Sequence, residues 1–360
     1  MNPLWSNLVT RLTPYVPGEQ RSGSDIVKLN TNENPYPPSS QVAEAIASVP
    51  ADQLRRYPDP QSTALRQALA EYHHLTPEQV FVGNGSDEIL ALAFMAFFTG
   101  DKPLQYPEVS YSFYPVYCDL LDIKPQTISH DEKFNLHTDQ FGGDCAGIVF
   151  PNPNAPTGIA LSLSQIKDLL ERNQSTVVLI DEAYADFGAN SAIELINEFP
   201  NLVVSRTFSK GRSLAGLRLG AAFANADLIE GLRRVKDSFN SYPVDSIASA
   251  AGIASLNDEA YYRETIEKII STRKHTTQAL TALGYTVLPS SANFVFASPP
   301  DKNAGRVFNQ LNNNNILVRY WDKPELCQWL RITIGTDTEM EKLITALGTG
   351  LVNSAGTKAE

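Results

Sequence analysis

The sequence predicts an α/β protein: a mostly parallel central sheet with helices on both faces, followed by a smaller α+β C-terminal domain. Three observations predict it. Short apolar, β-branched runs alternate with helical stretches through the first two thirds of the chain, the rhythm of strand–helix–strand units. Three of those runs end in clusters of glycine, acidic, hydroxyl or lysine residues. Near residue 255 the pattern changes to one long helix followed by short strands.

The elements follow in order. The first forty residues are rich in loop signals, densest at "NENPYPPSS". A helix is expected from about Ser40, with Val42, Ala45 and Ile46 on one face, and another from about Thr63 to His73. "QVFVGNGSDEILALAFMAFF" reads as a strand, a glycine turn and a helix apolar almost all round, hence buried. Gly147 to Phe150 and Thr176 to Ile180 read as buried parallel strands with the helix "LSLSQIKDLLER" between them. "SAIELINEF" reads as helical, and Val203 to Arg206 as the next strand. A long helix then spans "NDEAYYRETIEKIISTRKHTTQALTALGY", with Ile266, Ile269, Ile270, Leu280 and Leu283 on one side. "ANFVFASP", a helix near Val307 to Leu311, "ILVRYW" and "LRITIGT" follow. Thr336 and Glu339 form a capping box for the last helix. The expected boundaries are an N-terminal arm and the start of the small domain at 1–40, a large domain at 41–254, a small C-terminal domain at 255–350 and a frayed tail at 351–360.

Composition limits the function. A chain of 360 residues, 42% hydrophobic and 19% charged, fits a soluble globular protein with more than one small core. A net charge of −11 disfavours nucleic acid and anionic membranes as partners, so any anion site must be a local positive feature. Cys118, Cys145 and Cys327 are widely spaced, which suits a reducing compartment. The five histidines form no zinc-like cluster, and no metal is expected. The N-terminus lacks a basic segment followed by an apolar core, and no apolar run approaches membrane-spanning length. The expected location is the cytoplasm.

Ligands of open α/β sheets bind at the carboxyl ends of the strands. "GNGSDE", "DEAY" and "TFSK" stand at three such ends. Gly83 and Gly85 permit a tight turn into a helix near Ser86, whose free N–H groups favour a phosphate; alone, the motif equally suits an ordinary strand-to-helix turn. Asp181, after a buried strand, is a poorly solvated carboxylate that needs a cation or a proton. Lys210 is a candidate Schiff-base lysine, because desolvation and nearby cations make its neutral amine available. Arg218 offers a fixed charge to a phosphate, and Thr207 and Ser209 offer hydroxyls. A phosphate cradle, a carboxylate for a ring nitrogen, Tyr184 for a ring oxygen and a lysine nucleophile together describe pyridoxal 5′-phosphate.

The chain resembles the fold-type I, class I/II pyridoxal-phosphate aminotransferases, and more narrowly their branch acting on histidinol phosphate. The resemblance rests on "LTPYVPG", "VKLNTNENPYPPS", "RYPDP", "GNGSDE", "YSFYPVY", "PNPNAPTG", "DEAYADF", "RTFSKGRSLAGLRLG", "ANFVFA", "ILVRYW" and "LRITIGT", in the family's order. It implies transfer of an amino group between histidinol phosphate and the glutamate/2-oxoglutarate pair, in histidine biosynthesis. It implies that Lys210, Asp181 and Tyr184 are catalytic, and that Ser86, Asp87, Thr207, Ser209 and Arg218 hold the phosphate while Tyr111 stacks on the ring. It further implies that Tyr57 reaches the cofactor of the partner subunit, hence a homodimer with shared active sites, and that Tyr15, Arg319 and Arg331 bind the substrate anion. One position departs. The family carries asparagine directly before Pro-Thr-Gly, donating to the ring oxygen, where this chain has Ala155. Either Asn154 substitutes by a loop shift or Tyr184 acts alone. Threonine-phosphate decarboxylase, an aromatic aminotransferase and a cofactor-binding regulator stand as rival readings.

Overall fold

A computed structural model describes residues 4–21, 23 and 25–355. Its main sheet has seven strands in the spatial order Val80–Gly83, Gly220–Ala224, Leu202–Thr207, Val177–Asp181, Gly147–Pro151, Leu104–Pro107 and Pro125–Ile128. All pairings are parallel except those of Gly220–Ala224, which runs antiparallel to both neighbours.

Side-chain alternation assigns the two faces of this sheet. Ile148, Phe150, Val178, Ile180, Leu202, Val204, Ala221 and Phe223 pack on one side against Leu65, Leu69, Ile166, Leu169 and Ala251. Val149, Leu179, Val203, Ala222 and Ala224 pack on the other against Ile89, Leu90, Phe94, Tyr114 and Leu232. Both faces are therefore covered by helices, which is why the central strands read as continuous apolar runs. Truncating a sealed side chain such as Leu179 to Ala should cost about 2–5 kcal/mol.

A second sheet orders Arg319–Tyr320, Leu330–Thr333, Phe294–Ser298 and Thr286–Val287, all antiparallel. Its core gathers Phe294, Leu330 and Ile332 with Ile266, Ile269 and Leu280 of the long helix Glu259–Ala282, and with Val307, Leu311 and Leu343. The N-terminal strand Val27–Lys28 pairs in parallel with Ile316–Leu317, so the start of the chain packs with this later core. The loop after Val177–Asp181 contributes Tyr184 and Phe187 to the same core.

Several expectations need correction. Leu104–Pro107 and Pro125–Ile128 are two further strands; the latter is a mostly exposed edge without an apolar run. "SAIELINEF" forms only a 3-10 turn at Ala192–Leu195. One turn suffices to bury Ala192, Ile193 and Ile196, and Pro200 lies just beyond. The last helix, Asp337–Ala355, runs past the expected boundary at 350; residues 356–360 of the expected tail lie outside the described residues. The Thr336–Glu339 capping box is present, with Thr336 N–H donating to Glu339 Oε2 at 2.7 Å and Glu339 N–H to Thr336 Oγ1 at 3.3 Å. Among the described residues no helix is long and apolar enough to cross a membrane.

Candidate active site

The carboxyl ends of Val80–Gly83, Val177–Asp181 and Leu202–Thr207 lie at one edge of the main sheet. The antiparallel strand begins at that edge, with Gly220 opposite both Gly83 and Thr207. The crowding there demands glycine. A Cβ on Gly220 would lie 2.6 Å from the Gly85 carbonyl carbon and 2.7 Å from the Ser86 nitrogen. Gly85 has φ +80°, and a Cβ on it would meet Arg218 Nη2 at 2.6 Å. The helix Gly85–Ala93 thus presents its first N–H groups beside a guanidinium. Arg218 has a left-handed backbone (φ +51°), a conformation that costs a non-glycine residue about 1–3 kcal/mol and concentrates at functional sites. Its Nη2 pairs with Asp87 Oδ2 at 3.0 Å, and Tyr111 Oη donates to Asp87 Oδ1 at 2.9 Å.

A cavity of about 210 Å³ opens at this edge. Of the residues singled out from the sequence, Tyr15, Ser86, Asp87, Tyr111, Asp181, Tyr184, Thr207, Ser209, Lys210, Arg218, Arg319 and Arg331 all line it. A second cavity, of about 360 Å³, adjoins it and shares Tyr15, Tyr111, Ala155, Arg319 and Arg331.

Two of these groups have their acidity moved to within about a unit of neutral pH. Asp181 is 4% exposed; it accepts from Ser205 Oγ at 3.2 Å and from Tyr114 Oη at 3.5 Å. None of the ion pairs among the described residues includes it, and burial pushes its pKa up to about 7. Lys210 Nζ donates to the Thr31 carbonyl at 2.9 Å. Burial lowers its pKa to about 8, with Arg331 and Arg218 adding to the effect against Glu33 and Asp87.

The opposite wall is cationic. Arg319 and Arg331 face each other across antiparallel strands, an arrangement that repels unless an anion lies between them. Arg331 Nη2 donates to the Asn30 carbonyl at 2.9 Å, its guanidinium lies 5.4 Å from the rings of both Phe294 and Trp321, and its Nε has no hydrogen-bond partner. Arg319 donates to the Val16 carbonyl and sits over Trp321.

Two residues lie elsewhere. Asn154 is buried, and its Nδ2 donates to the Val109 carbonyl and to Thr157 Oγ1, both at 3.0 Å; Ala155 forms the cavity wall in its place. Tyr57 is 81% exposed and stacks on Tyr242, away from the cavity of its own chain. Conversely, Asn30, Thr31, Asn32 and Glu33 line the cavity, although their sequence signals only a loop. The contacts that tie Asn30, Thr31 and Asn32 to Arg331, Lys210 and Tyr184 span more than 150 residues of sequence, so no local pattern announces them.

Comparison with known proteins agrees with this geometry. The aminotransferase class I and II family matches residues 24–347. The histidinol-phosphate aminotransferase of Chromohalobacter salexigens is 54% identical over 347 residues, covering 96% of this chain and 99% of the relative. Histidinol-phosphate aminotransferase 1 of Hydrogenovibrio crunogenus is 51% identical over 347 residues, with 96% and 98% covered. The crystal structure of Sinorhizobium meliloti histidinol-phosphate aminotransferase in complex with pyridoxal-5′-phosphate matches with a TM-score of 0.86 at 25% identity, covering 96% of each chain. The chain belongs to the class I and II aminotransferases and, within them, to the histidinol-phosphate aminotransferase family.

Proposed function

We propose that the protein is a cytoplasmic, homodimeric transaminase that moves an amino group between histidinol phosphate and 2-oxoglutarate with pyridoxal 5′-phosphate as its resident cofactor. One observation carries the reading. A buried carboxylate without a cation, Asp181, and a buried amine of lowered pKa, Lys210, share a cavity with a helix N-terminus flanked by Arg218. The donor set fits the cofactor: N–H groups, hydroxyls and a guanidinium for its phosphate, an amine for its aldehyde and an anion for its ring nitrogen.

When bound, the cofactor supplies an aldehyde that condenses with amines and a ring that accepts electrons as the substrate Cα–H bond breaks. The chain's residues do the rest. The Ser86 and Asp87 N–H groups, Thr207, Ser209 and Arg218 hold the phosphate. Asp181 keeps a proton on the ring nitrogen, which relieves its own desolvation. Lys210, whose lowered pKa brings its neutral amine within reach near pH 8, takes and returns the proton at substrate Cα. Tyr184 donates to the ring oxygen, and Tyr111 covers a ring face. Tyr57, exposed on its own subunit, serves the site of the partner subunit. Arg319, Arg331 and Tyr15 hold the phosphate of one substrate and the distal carboxylate of the other, since a guanidinium fork suits both anions.

The test is a panel of histidinol phosphate, phenylalanine, tyrosine and threonine phosphate with 2-oxoglutarate. Glutamate should form fastest with histidinol phosphate. Carbon dioxide release from threonine phosphate, or equal use of the aromatic donors, would overturn the substrate assignment. Borohydride reduction of the loaded protein should fix the cofactor on Lys210, and peptide mapping to another lysine would overturn that role.

A further inference from the structure

Three consecutive residues of the N-terminal segment each hold one side chain of the cavity. The Asn30 carbonyl accepts from Arg331, the Thr31 carbonyl accepts from Lys210, and Asn32 Nδ2 donates to Tyr184 Oη at 3.0 Å. Asn32 alone of the three acts here through its side chain. It is 1% exposed and has φ +56°, a left-handed conformation that asparagine tolerates better than most residues.

The surroundings fix its amide. Asn32 N–H donates to Thr333 Oγ1 at 3.0 Å, Thr333 Oγ1 donates to Asn32 Oδ1 at 2.9 Å, and Asn293 Nδ2 donates to the Asn32 carbonyl at 2.9 Å. Thr333 is itself buried, and its single hydroxyl proton finds an acceptor only when Oδ1 faces it. The NH₂ group must then face Tyr184. A phenol oxygen that accepts from an amide keeps its own proton for a different acceptor. Tyr184 lines the cavity, so that proton is available there. Neighbouring groups do not duplicate the contact: Asn154 spends its amide protons on Val109 and Thr157, and Ala155 offers only a methyl group.

We propose that Asn32 is a positioning residue for the reaction: its amide donates to the Tyr184 hydroxyl and so aims the tyrosine proton at the ring oxygen of bound pyridoxal phosphate. This rests on the cofactor reading above. Removing the amide leaves the hydroxyl free to turn its proton away, which should weaken cofactor binding and shift the pH at which its visible absorbance changes.

A double-mutant cycle tests it. Asn32→Gly keeps the left-handed backbone and removes the amide, and Tyr184→Phe removes the hydroxyl. Wild type, both single variants and the double variant are titrated with pyridoxal phosphate, and its dissociation constant and absorbance midpoint are read. With Tyr184 present, Asn32→Gly should weaken binding about fivefold, the effect of one hydrogen bond, and move the midpoint. In the Tyr184→Phe background the same change should stay within about twofold. Asn32→Asp, closest in shape, should bind more weakly than Asn32→Gly, because its carboxylate takes the tyrosine proton for itself. Equal losses in both backgrounds, no loss at all, or Asn32→Asp matching wild type would overturn the proposal. Wild-type protein that develops no visible absorbance with pyridoxal phosphate would overturn the cofactor reading itself, which distinguishes the two failures.

Discussion

Asp181 and Glu182 are adjacent carboxylates at the end of one strand, sealed from solvent to within 4% and 1%. Alternation sends them to different surroundings. Glu182 pairs with Arg206 Nη1 at 3.0 Å and accepts from Ser191 Oγ at 2.6 Å and from the Ala192 N–H at 2.5 Å. Arg206 in turn also pairs with Asp186. Burial raises the Glu182 pKa, and Arg206 opposes the rise. Asp181 has only hydroxyls and one backbone N–H. The protein completes Glu182 and leaves Asp181 without a cation. Burial is common to both, so burial alone does not separate them; the missing cation does, and it is what the proposed cofactor would supply.

Substitution should separate the two. Asp181→Asn removes an unpaired buried charge, so the cofactor-free protein should melt at a higher temperature. The amide cannot hold a charged ring nitrogen, and rapid-mixing measurement of the half-reaction should show a loss of orders of magnitude. Glu182→Gln should do the reverse. It leaves Arg206 with part of its charge uncompensated and should cost about 3–5 kcal/mol in denaturant unfolding. Cofactor affinity of the folded fraction should hardly change. If Asp181→Asn destabilises the cofactor-free protein as Glu182→Gln does, Asp181 is a structural group.

The pH dependence of stability extends the contrast. Asp181 titrates near 7 in the fold, against an ordinary value of 3.8. Below about pH 4 it is neutral in both states and contributes nothing. Between pH 4 and 7 the folded state holds a proton that the unfolded state has lost, so stability falls as pH rises. The full penalty above pH 7 is about 4 kcal/mol. Lys210 acts in another window. Its folded value of about 8 lies below the ordinary 10.5, so its penalty is full below pH 8 and relaxes as pH rises towards 10.5. Unfolding of the cofactor-free protein should therefore show a decline across pH 4–7 that Asp181→Asn removes. A recovery across pH 8–10.5 should be absent from Lys210→Ala. An unchanged pH 4–7 decline in Asp181→Asn would place the titration elsewhere.

The same contrast explains what was legible in the sequence. Asp181, Tyr184, Thr207, Ser209 and Lys210 stand at the ends of apolar strands, where a change from β-branched to polar residues is a local signal. Arg218 and Gly220 were legible as a basic residue and a glycine. Their place depends on an antiparallel strand, which leaves no mark in a run as short as "GAAFA". Asn32 and Thr31 act through Tyr184 and Lys210, more than 150 residues away, and only the folded chain joins them. The Ala155 departure was visible, but that Asn154 faces Val109 rather than the cavity was not.

Among the arginines the comparison repeats at smaller scale. Arg206 has two carboxylates, whereas Arg331 has one carbonyl and an unpartnered Nε beside the cavity. Arg331→Ala should weaken histidinol phosphate and glutamate together by about 2–5 kcal/mol in steady-state kinetics, with cofactor absorbance retained. Unphosphorylated histidinol should suffer much less. If wild-type protein used histidinol as well as its phosphate, the anion role of Arg331 would be wrong.

The smallest functional effect is expected of Asn154. It is buried, both its amide protons go to protein acceptors, Val109 and Thr157, its Oδ1 has no hydrogen-bond partner, and Ala155 rather than Asn154 lines the cavity. Asn154→Ala should forfeit those two bonds, about 1 kcal/mol each, and leave the Val109 carbonyl short of a donor. Its denaturant midpoint should fall by a corresponding amount, with the slope of the transition unchanged. Cofactor affinity and its pH midpoint should stay within about twofold of wild type, because Asn32 rather than Asn154 donates to Tyr184. A loss of cofactor affinity as large as that expected for Asn32→Gly, with little change in stability, would reverse this assignment. The amide before Ala155 would then act at the cavity, and the loop would have to shift when the cofactor binds.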